Sequence, residues 1–324
     1  MGEKRLVSIV IPTLGRQRLL KRALHSVIQQ TYTHWEAVVA GNSTQGQVRD
    51  IVASFADPRI RYVDASSCKG PAAARNVGIK RARGELVAFL DDDDWWLPLK
   101  LELQVERFIS SQEPLGIVFC GHVRVDETGR ILRLVHPEES EKLLWRLLHE
   151  NYIPPSTAVV RRDALEAIGL FDERLYGAED RDLWIRLAKE HPIVALDESL
   201  VVLSVHQSNI SKEAQRMARG HELLLKKHYS LFADYGVLAH EYVTLGKIYS
   251  RDAVSFQKAK ECVRQGLREQ WAWSGFFLLL LMNLGWGLFT FFRALYRSWH
   301  SLMSKRAARR ELDNDLKHLI GGDQ

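Results

Sequence analysis

Cysteine is scarce in this sequence, and the residues present, Cys68, Cys120 and Cys262, show no pairing pattern. An odd number of widely spaced cysteines indicates neither a disulfide framework nor a zinc site, and a reducing compartment suits such a chain. We expect no secretory signal either, because the charged N-terminus leads into an apolar segment of only about six residues, too short for the apolar core of such a signal. With 46% hydrophobic and 26% charged residues, the composition is that of a folded globular protein. We expect it to be cytoplasmic.

Short β-branched segments alternate with amphipathic segments of helical period up to residue 90. The predicted strands are Leu6–Ile11, Trp35–Val39, Ile60–Val63, Leu86–Leu90 and, later, Ile117–Val125, Thr157–Val160 and Leu200–Val205. The predicted helices are Gln17–Gln30, Gln47–Phe55, Ala72–Arg83 and, later, Leu97–Ser110 and Glu141–Leu148, besides the helix that begins at Glu179. This alternation predicts an α/β fold with a mostly parallel sheet and a ligand site at the carboxyl ends of its strands. We expect this domain to occupy residues 1–211 and a helical region to occupy residues 212–324.

Four consecutive aspartates, Asp91 to Asp94, directly follow the predicted strand Leu86–Leu90. Adjacent carboxylates that are partly buried repel one another, so a positive charge must offset them. Mg²⁺ or Mn²⁺ is the simplest candidate, because these cations take oxygen ligands and bridge diphosphates. The alternative is a solvated acidic turn or a cluster at the start of a helix, although capping requires one carboxylate and not four.

Several further motifs accompany the acidic loop in a definite order. The ordered set is Ile9-Val10-Ile11-Pro12-Thr13, Ala74-Arg75-Asn76, Phe89-Leu90-Asp91-Asp92-Asp93, Glu179-Asp180 and His206. It resembles the inverting family 2 glycosyltransferases of the GT-A fold. The resemblance implies a Rossmann-like, mostly parallel sheet flanked by helices, followed by an α-helical appendage. It also implies transfer of a sugar from a nucleotide-diphosphate sugar to a glycan or lipid-linked acceptor in bacterial surface polysaccharide or glycolipid synthesis.

By this resemblance the acidic loop binds the metal and part of the donor. Asp93 is expected to be the direct ligand of Mn²⁺ or Mg²⁺, and Asp91 to face the metal or the ribose. His206 corresponds to the family's late histidine near the diphosphate or the metal, although a single histidine is more often structural. Asp92 is expected to contact the donor, and Asp94 to support the metal ligands.

The other expected donor contacts lie at the ends of the first two strands and on the third helix. Pro12 and Thr13 end the first strand, where family members contact the nucleotide. Arg75 is expected to face the base or the phosphates, since a guanidinium matches planar acceptors. After the second strand the family usually has an aspartate that recognises uracil, whereas this chain has Asn42 and Ser43. These residues could replace the missing hydrogen bond, but the departure argues against UDP and, less strongly, against activity.

Inversion by direct displacement needs a carboxylate that takes the proton of the acceptor hydroxyl. Glu179 and Asp180 begin a predicted amphipathic helix. The resemblance makes Asp180 the catalytic base and Glu179 a residue that orients the acceptor or a neighbour. Acidic residues in a first helical turn also commonly complement the helix dipole. Asp182 is a rival base that, two residues further on, should point away from Asp180.

An uncharged apolar segment, Gln270–Phe292, precedes a basic tail. As one helix it would just cross a bilayer, but crossing would separate the basic tail from a site that uses cytosolic nucleotide sugars. Asn283, Gly285 and Gly287 interrupt the segment, which favours a re-entrant hairpin or a helix pair lying on the membrane. We expect peripheral contact with the inner face of the cell membrane and no nucleic-acid partner. A buried core helix or an oligomer contact is the alternative.

Two other functions stay open at this point. A nucleotidyltransferase also needs a metal and a nucleotide, but it requires a glycine-rich basic loop after the first strand to hold a triphosphate. The loop from Thr13 to Arg16 is too short and has too little glycine and basic charge to do so. A catalytically inactive sugar-nucleotide-binding scaffold is the second alternative, and the missing uracil-reading aspartate favours it.

Overall fold

The structure is a computed structural model that describes residues 4–41, 46–137, 142–205, 214–271 and 273–295. The chain divides into two compact units, residues 1–237 and residues 238–324, which are described separately.

Nine strands of the described residues form one sheet in the first unit. They are β1 Val7–Thr13, β2 Trp35–Gly41, β3 Ile60–Asp64, β4 Leu86–Phe89, β5 Trp95–Trp96, β6 Ile117–Val125, β7 Ile131–Val135, β8 Ala158–Arg161 and β9 Ile193–Ser204. Their order is β3-β2-β1-β4-β8-β6-β9-β5, and β7 pairs with β6 beside this path. The strands β1 to β4 pair in parallel, as do β6 and β9, whereas β8 runs antiparallel to its neighbours. The predicted α/β fold is therefore confirmed.

The helices of the first unit match the predicted pattern up to residue 90. They are α1 Gln17–Ile28, α2 Gln47–Ser54, α3 Pro71–Arg81, α4 Lys100–Ser110, α5 Leu143–His149, α6 Arg162–Ile168, α7 Glu179–Glu190, α8 Ala214–Lys227 and α9 Tyr229–Asp234. Two strands, β5 and β7, were not predicted from the sequence, for physical reasons. The strand β5 has only two residues, and the side chains of β7 are mostly exposed, so neither shows a buried alternation. The strand β9 begins at Ile193 and not at Leu200 as predicted. Its first half is half-buried or exposed, so the sequence there shows no buried run that would indicate a strand.

Neighbouring residues of β1 pack against helices on opposite faces of the sheet. Ile9 and Ile11 lie in a buried cluster with apolar residues of α1, α2 and α4. Val10 faces α3, where a Cβ added to Gly78 would lie 2.4 Å from its Cγ1. A residue other than glycine would therefore push α3 away from β1. This close approach brings the small-residue helix α3, with Arg75, against the centre of the sheet.

The first unit extends past the boundary expected at residue 211. Lys227 at the end of α8 and the following His228 both contact the buried carboxylate of Asp182 on α7, at 2.9 and 2.8 Å. Arg186 of α7 pairs with the same carboxylate at 2.8 Å. The sequence did not reveal this, because a helical pattern looks alike whether the helix packs on the first unit or stands apart from it.

The second unit is helical over its described residues. Its helices are α10 Leu238–Tyr249, α11 Phe256–Glu269 and α12 Trp273–Asn283, and residues 286–295 are also helical. Gly285, with a φ of +97°, separates α12 from the last helical segment. Within the described ranges, none of the helices combines the length and the apolar character that a bilayer crossing requires.

Candidate active site

The four aspartates follow β4 at the carboxyl edge of the sheet and alternate in burial. Asp92 and Asp94 are buried, with exposed fractions of 2% and 7%. Asp91 and Asp93 are only partly buried. Residues 91–94 form a turn in which the Asp94 amide donates to the Asp91 carbonyl at 3.0 Å, and this turn directs Asp92 and Asp94 inward. Asp91 and Asp93 are therefore the pair that a ligand can reach.

Asp92 is held inside the protein by the end of β1. The Thr13 hydroxyl donates to Asp92, and the Gly15 amide donates to the Thr13 hydroxyl at 3.0 Å. Arg16 also donates to Asp92. Burial raises the pKa of Asp92, and the hydrogen bonds from Arg16 and Thr13 oppose that rise. The residues expected to contact the donor at this point, Thr13 and Asp92, thus also bind each other, next to the buried Pro12.

Asp94 is satisfied by a different part of the fold. Ser156 donates to its Oδ2 at 2.6 Å, and the Ser204 amide of β9 donates to its Oδ1 at 3.1 Å. Burial, and then the charges of Asp93 and Asp91, raise the pKa of Asp94 well above its usual value. Asp94 therefore fixes the loop to β9.

Arginines supply the positive charge that offsets the acidic loop. Arg16, immediately before α1, places Nη1 3.0 Å from Asp93 Oδ2. Arg22 of α1 donates to the Asp93 carbonyl and lies 3.9 Å from the centre of the Trp95 ring. The sequence argument that positive charge must offset the four carboxylates therefore holds, and arginine side chains of this protein provide part of that charge.

Arg75 connects the acidic loop to the start of α7. It is 4% exposed, and it donates to Asp91 Oδ1 at 2.7 Å and to Glu179 Oε1 at 3.5 Å. Burial acts to lower the pKa of Arg75, but the charges of Asp91 and Glu179 outweigh it and raise the pKa, so the guanidinium stays charged. One side chain therefore joins two motifs that lie far apart in the sequence.

Glu179 and Asp180 differ in their surroundings. Glu179 is buried and accepts a hydrogen bond from the Gly177 amide at 2.6 Å, and burial followed by the charge of Asp180 raises its pKa. Asp180 is only partly buried, and Asn151 donates to its Oδ2 at 2.8 Å. Of this pair, Asp180 carries the carboxylate that an acceptor can approach.

Asp182 is unsuited to the role of base. Its carboxylate is completely buried and is shared by Arg186, Lys227 and His228. Burial alone would raise the pKa of Asp182, but these hydrogen bonds and charges lower it. A carboxylate that is surrounded by cations and sealed from solvent stabilises the fold and does not reach an acceptor.

The carboxylates of Asp91 and Asp93 fit a divalent cation that is shared with a diphosphate. Mg²⁺ is commonly held by one or two carboxylates, with phosphate and water oxygens completing the shell. Among the described residues, no three or more His, Cys, Asp or Glu side chains form a group that could hold a metal ion, so the two aspartates would share the cation with phosphate and water oxygens. His206, Asn42 and Ser43, which the sequence places at the metal and at the donor base, lie outside the described residues.

Sequence reasoning did not single out Arg16 or Asn151 as site residues. Arg16 had a usable signal, because β1 and β4 are parallel neighbours and the turn after one must lie beside the loop after the other. Asn151 follows α5 in an irregular segment and had no local signal.

The sheet, the acidic loop after β4 and the paired acids at the start of α7 define a glycosyltransferase of the GT-A class. Solved structures that share this fold include the following two. The mannosyltransferase PcManGT from Pyrobaculum calidifontis, in complex with GDP-Man and Mn²⁺, has a TM-score of 0.57 at 16% identity, covering 99% of this chain and 89% of its own. TarS 1-349 from S. aureus, in complex with UDP-GlcNAc, has a TM-score of 0.53 at 18% identity, covering 80% and 92%.

Residues 8–169 match the glycosyl transferase family 2 model, and the chain belongs to this family. It is 34% identical over 221 residues to the putative teichuronic acid biosynthesis glycosyltransferase TuaG from Bacillus subtilis, covering 67% of this chain and 85% of that one. It is 27% identical over 246 residues to the UDP-Glc:alpha-D-GlcNAc-diphosphoundecaprenol beta-1,3-glucosyltransferase WfgD from Escherichia coli, covering 75% and 92%. The nucleotidyltransferase alternative is thereby set aside.

Proposed function

We propose that this chain is a metal-dependent inverting glycosyltransferase that moves a sugar from a nucleotide-diphosphate sugar to a hydroxyl of a lipid-linked glycan acceptor in bacterial surface polysaccharide or glycolipid synthesis. The observation that carries the proposal is the bridge from Asp91 through the buried Arg75 to Glu179. This bridge fixes the acidic loop, which is proposed to bind the donor, relative to the start of α7, which carries the proposed base. WfgD, named as a glucosyltransferase that acts on a diphosphoundecaprenol-linked sugar, supports the acceptor class.

Asp180 is proposed as the base. It takes the proton of the acceptor hydroxyl while the hydroxyl oxygen forms a bond to the anomeric carbon of the donor. The bond from that carbon to the diphosphate breaks, and its electron pair leaves on the phosphate oxygen. Because attack occurs opposite the leaving group, the anomeric configuration inverts. Asn151 orients the Asp180 carboxylate, and the buried Glu179 keeps Arg75 in place.

Asp91 and Asp93 would hold Mn²⁺ or Mg²⁺, and His206 is a further proposed ligand. When bound, the cation would supply positive charge against the departing diphosphate. PcManGT, described with GDP-Man and Mn²⁺, supports this cofactor. The bases named for similar proteins include both guanine and uracil, so Asn42 and Ser43 are proposed as base contacts without a commitment to one base.

The second unit is proposed to contact the inner face of the cell membrane. Its last two helical segments expose large apolar side chains, namely Phe277, Leu280, Leu284, Trp286, Leu288, Phe291 and Phe292. Apolar and aromatic side chains next to a basic tail suit an interface with anionic lipid. The double substitution Leu288→Asp and Phe291→Asp should abolish sedimentation with phosphatidylglycerol vesicles. Binding that survives this change would contradict membrane contact through these helices.

Turnover of Asp180→Asn tests the function and the base together. The measurement is release of nucleoside diphosphate from a panel of nucleotide sugars, with Mn²⁺ and a lipid-linked sugar acceptor. We expect kcat to fall about 100-fold or more while donor affinity, measured by calorimetry, stays within about twofold. Glu190→Gln, at the exposed end of the same helix, is the matched control and should keep full activity.

Near-normal turnover of Asp180→Asn would exclude it as the base. Failure of the unaltered protein to bind any nucleotide sugar in saturating Mn²⁺ would defeat the whole proposal. Donor binding without turnover by the unaltered protein would instead favour the inactive scaffold.

A further inference from the structure

Two arginines oppose each other on the hairpin formed by β6 and β7. Arg124 of β6 and Arg133 of β7 are directly paired in the antiparallel register. Side chains at such positions share one face of the sheet with Cβ atoms about 5 Å apart, and like charges there repel. Both side chains are exposed, and neither forms an ion pair or hydrogen bond within the part of the chain that the structure describes. The pair is therefore accessible and has no direct ion-pair partner among the described residues; the charge of Asp94 acts on Arg124, but burial and the charge of Arg133 outweigh it and lower the pKa of Arg124.

His122 adds a polar group to the same face. It lies two residues before Arg124 on β6, opposite Val135. The side chain is 4% exposed, and its Nε2 has no hydrogen-bond partner among the residues that the structure describes. Burial, and then the charges of Arg124 and Arg133, lower the pKa of His122 to about 4, so the ring is neutral near pH 7. A buried ring nitrogen without a partner is uncommon in a folded protein and points to a ligand or water that would satisfy it.

Only the strand β9 lies between the arginine pair and the acidic loop. On its other side β6 pairs with β9, where Arg124 lies opposite Leu203. The next residue of β9, Ser204, donates its amide hydrogen to Asp94. A group bound by Arg124 is therefore about one strand spacing from the strand that anchors the acidic loop.

The outer strand of the hairpin combines positive charge with exposed apolar side chains. Ile131, Leu132 and Leu134 of β7 are 57%, 42% and 51% exposed. Guanidinium groups bind phosphate oxygens through paired, charge-assisted hydrogen bonds. In the register, Leu134 lies opposite Val123 and Ile131 lies opposite Val125, so these two side chains lie on the face of the hairpin opposite the arginines. The edge strand β7 thus has a guanidinium group on one face and aliphatic side chains on the other, which suits a ligand whose diphosphate binds the arginines and whose hydrocarbon chain passes around the edge.

We propose that Arg124 and Arg133 bind the diphosphate of the lipid-linked sugar acceptor. This inference rests on the proposed function and assigns the acceptor a site separate from the donor's diphosphate. The repulsion between the two arginines is relieved when an anion of two or more charges lies between them. Anionic lipid headgroups share this chemistry, and the experiment below separates the two sources.

The experiment measures binding of hexyl diphosphate to the full-length chain in EDTA, which prevents binding through a metal ion on the acidic loop. We compare the unaltered protein with the double variant Arg124→Gln/Arg133→Gln. Arg130→Gln is the matched control, since Arg130 is an exposed arginine of the same hairpin that lies outside the opposed pair. We expect the double variant to bind about 100-fold more weakly, about tenfold for each arginine, and the control to change less than about twofold. The midpoint temperature of thermal unfolding of the double variant should stay the same or rise, because the repulsion between the two arginines has been removed.

Three results would overturn the inference. The double variant could bind hexyl diphosphate as the unaltered protein does, or Arg130→Gln could weaken binding equally. In the third result, the double variant would keep its affinity for hexyl diphosphate but lose binding to phosphatidylglycerol vesicles, which would assign the arginines to lipid headgroups. Nucleotide-sugar binding in Mn²⁺ is measured in parallel and should be unchanged in the double variant. Absence of that binding in the unaltered protein would defeat the proposed function, a result distinct from any change in hexyl diphosphate affinity.

Discussion

Arg75 and Asp91 are joined by a hydrogen bond of 2.7 Å between a buried guanidinium and a carboxylate of the acidic loop. Arg75 also donates to Glu179 at 3.5 Å. The helix α3, the loop after β4 and the start of α7 therefore meet at one side chain. Removing one partner of a buried ion pair leaves the other charge uncompensated in a region of low dielectric constant.

We expect Arg75→Met to lower the free energy of unfolding by about 3–5 kcal/mol, because the buried Glu179 loses its positive partner. Urea denaturation at pH 7 measures the change. Arg81→Met, on the exposed last turn of the same helix, is the control and should alter stability by less than about 0.5 kcal/mol. A loss below about 1 kcal/mol for Arg75→Met would mean that the bridge contributes little to the fold.

Arg16→Gln should increase the affinity of the nucleotide-free protein for Mn²⁺ by about tenfold. The reason is that Arg16 pairs with Asp93 and competes with a cation for the same carboxylate. Titration of free Mn²⁺ followed by electron paramagnetic resonance, with no nucleotide present, measures the affinity. Arg18→Gln, an exposed arginine on the first turn of α1, should leave it unchanged. Equal or weaker Mn²⁺ binding by Arg16→Gln would show that the guanidinium does not compete with the metal.

Lys100 makes the stability of the protein depend on pH. Its side chain is fully buried, its Nζ donates to Gln104 at 2.6 Å, and burial lowers its pKa from 10.5 to about 8. Between pH 8 and 10.5 the unfolded chain therefore binds more protons than the folded one, so this contribution to stability rises with pH. Below pH 8 the cost of the buried charge is fully present and is on the order of 3 kcal/mol.

Lys100→Met should stabilise the protein at pH 7 and flatten the rise in stability between pH 8 and 10.5. Denaturant unfolding at several pH values, compared between variant and unaltered chain, gives both quantities. Part of the gain is offset because Gln104 loses its partner. Lys80→Met, at an exposed position on α3, should leave the pH dependence unchanged. The prediction fails if Lys100→Met retains the same slope with pH.

Asp182→Asn should destabilise the first unit by about 3 kcal/mol, because Arg186, Lys227 and His228 lose the charge that they share. The folded-state pKa of Asp182 is lowered, so its contribution is present above the unfolded pKa and disappears as the pH falls through the folded pKa. The variant should therefore lose less stability than the unaltered protein on acidification below about pH 4. Thermal unfolding at pH 7 and pH 3 measures this. Asp234→Asn, an exposed position, is the control, and an equal loss in both variants would contradict the role of Asp182.

The strands and helices up to residue 90 were predictable because their periodicity depends on neighbouring residues alone. The strand β6 appears with the predicted bounds, Ile117–Val125, for the same reason. The partners of the acidic loop were not predictable in this way. Arg16 and Asp93 are 77 residues apart, and no local pattern reports their contact. The sequence did not predict that the first unit extends through α9, because this extension depends on contacts of Lys227 and His228 with the distant Asp182 on α7.

The sequence by itself determined the α/β alternation, the position of the acidic loop at a strand end and the pair of acids that begins α7, because each follows from residues close together in the chain. Only the tertiary structure decided which of these carboxylates remain accessible. Asp92, Asp94 and Asp182 are buried and bound by partners from distant segments of the chain, while Asp91, Asp93 and Asp180 remain partly exposed. The reason is physical: burial and charge compensation depend on what packs around a group, and that is settled only when the chain has folded.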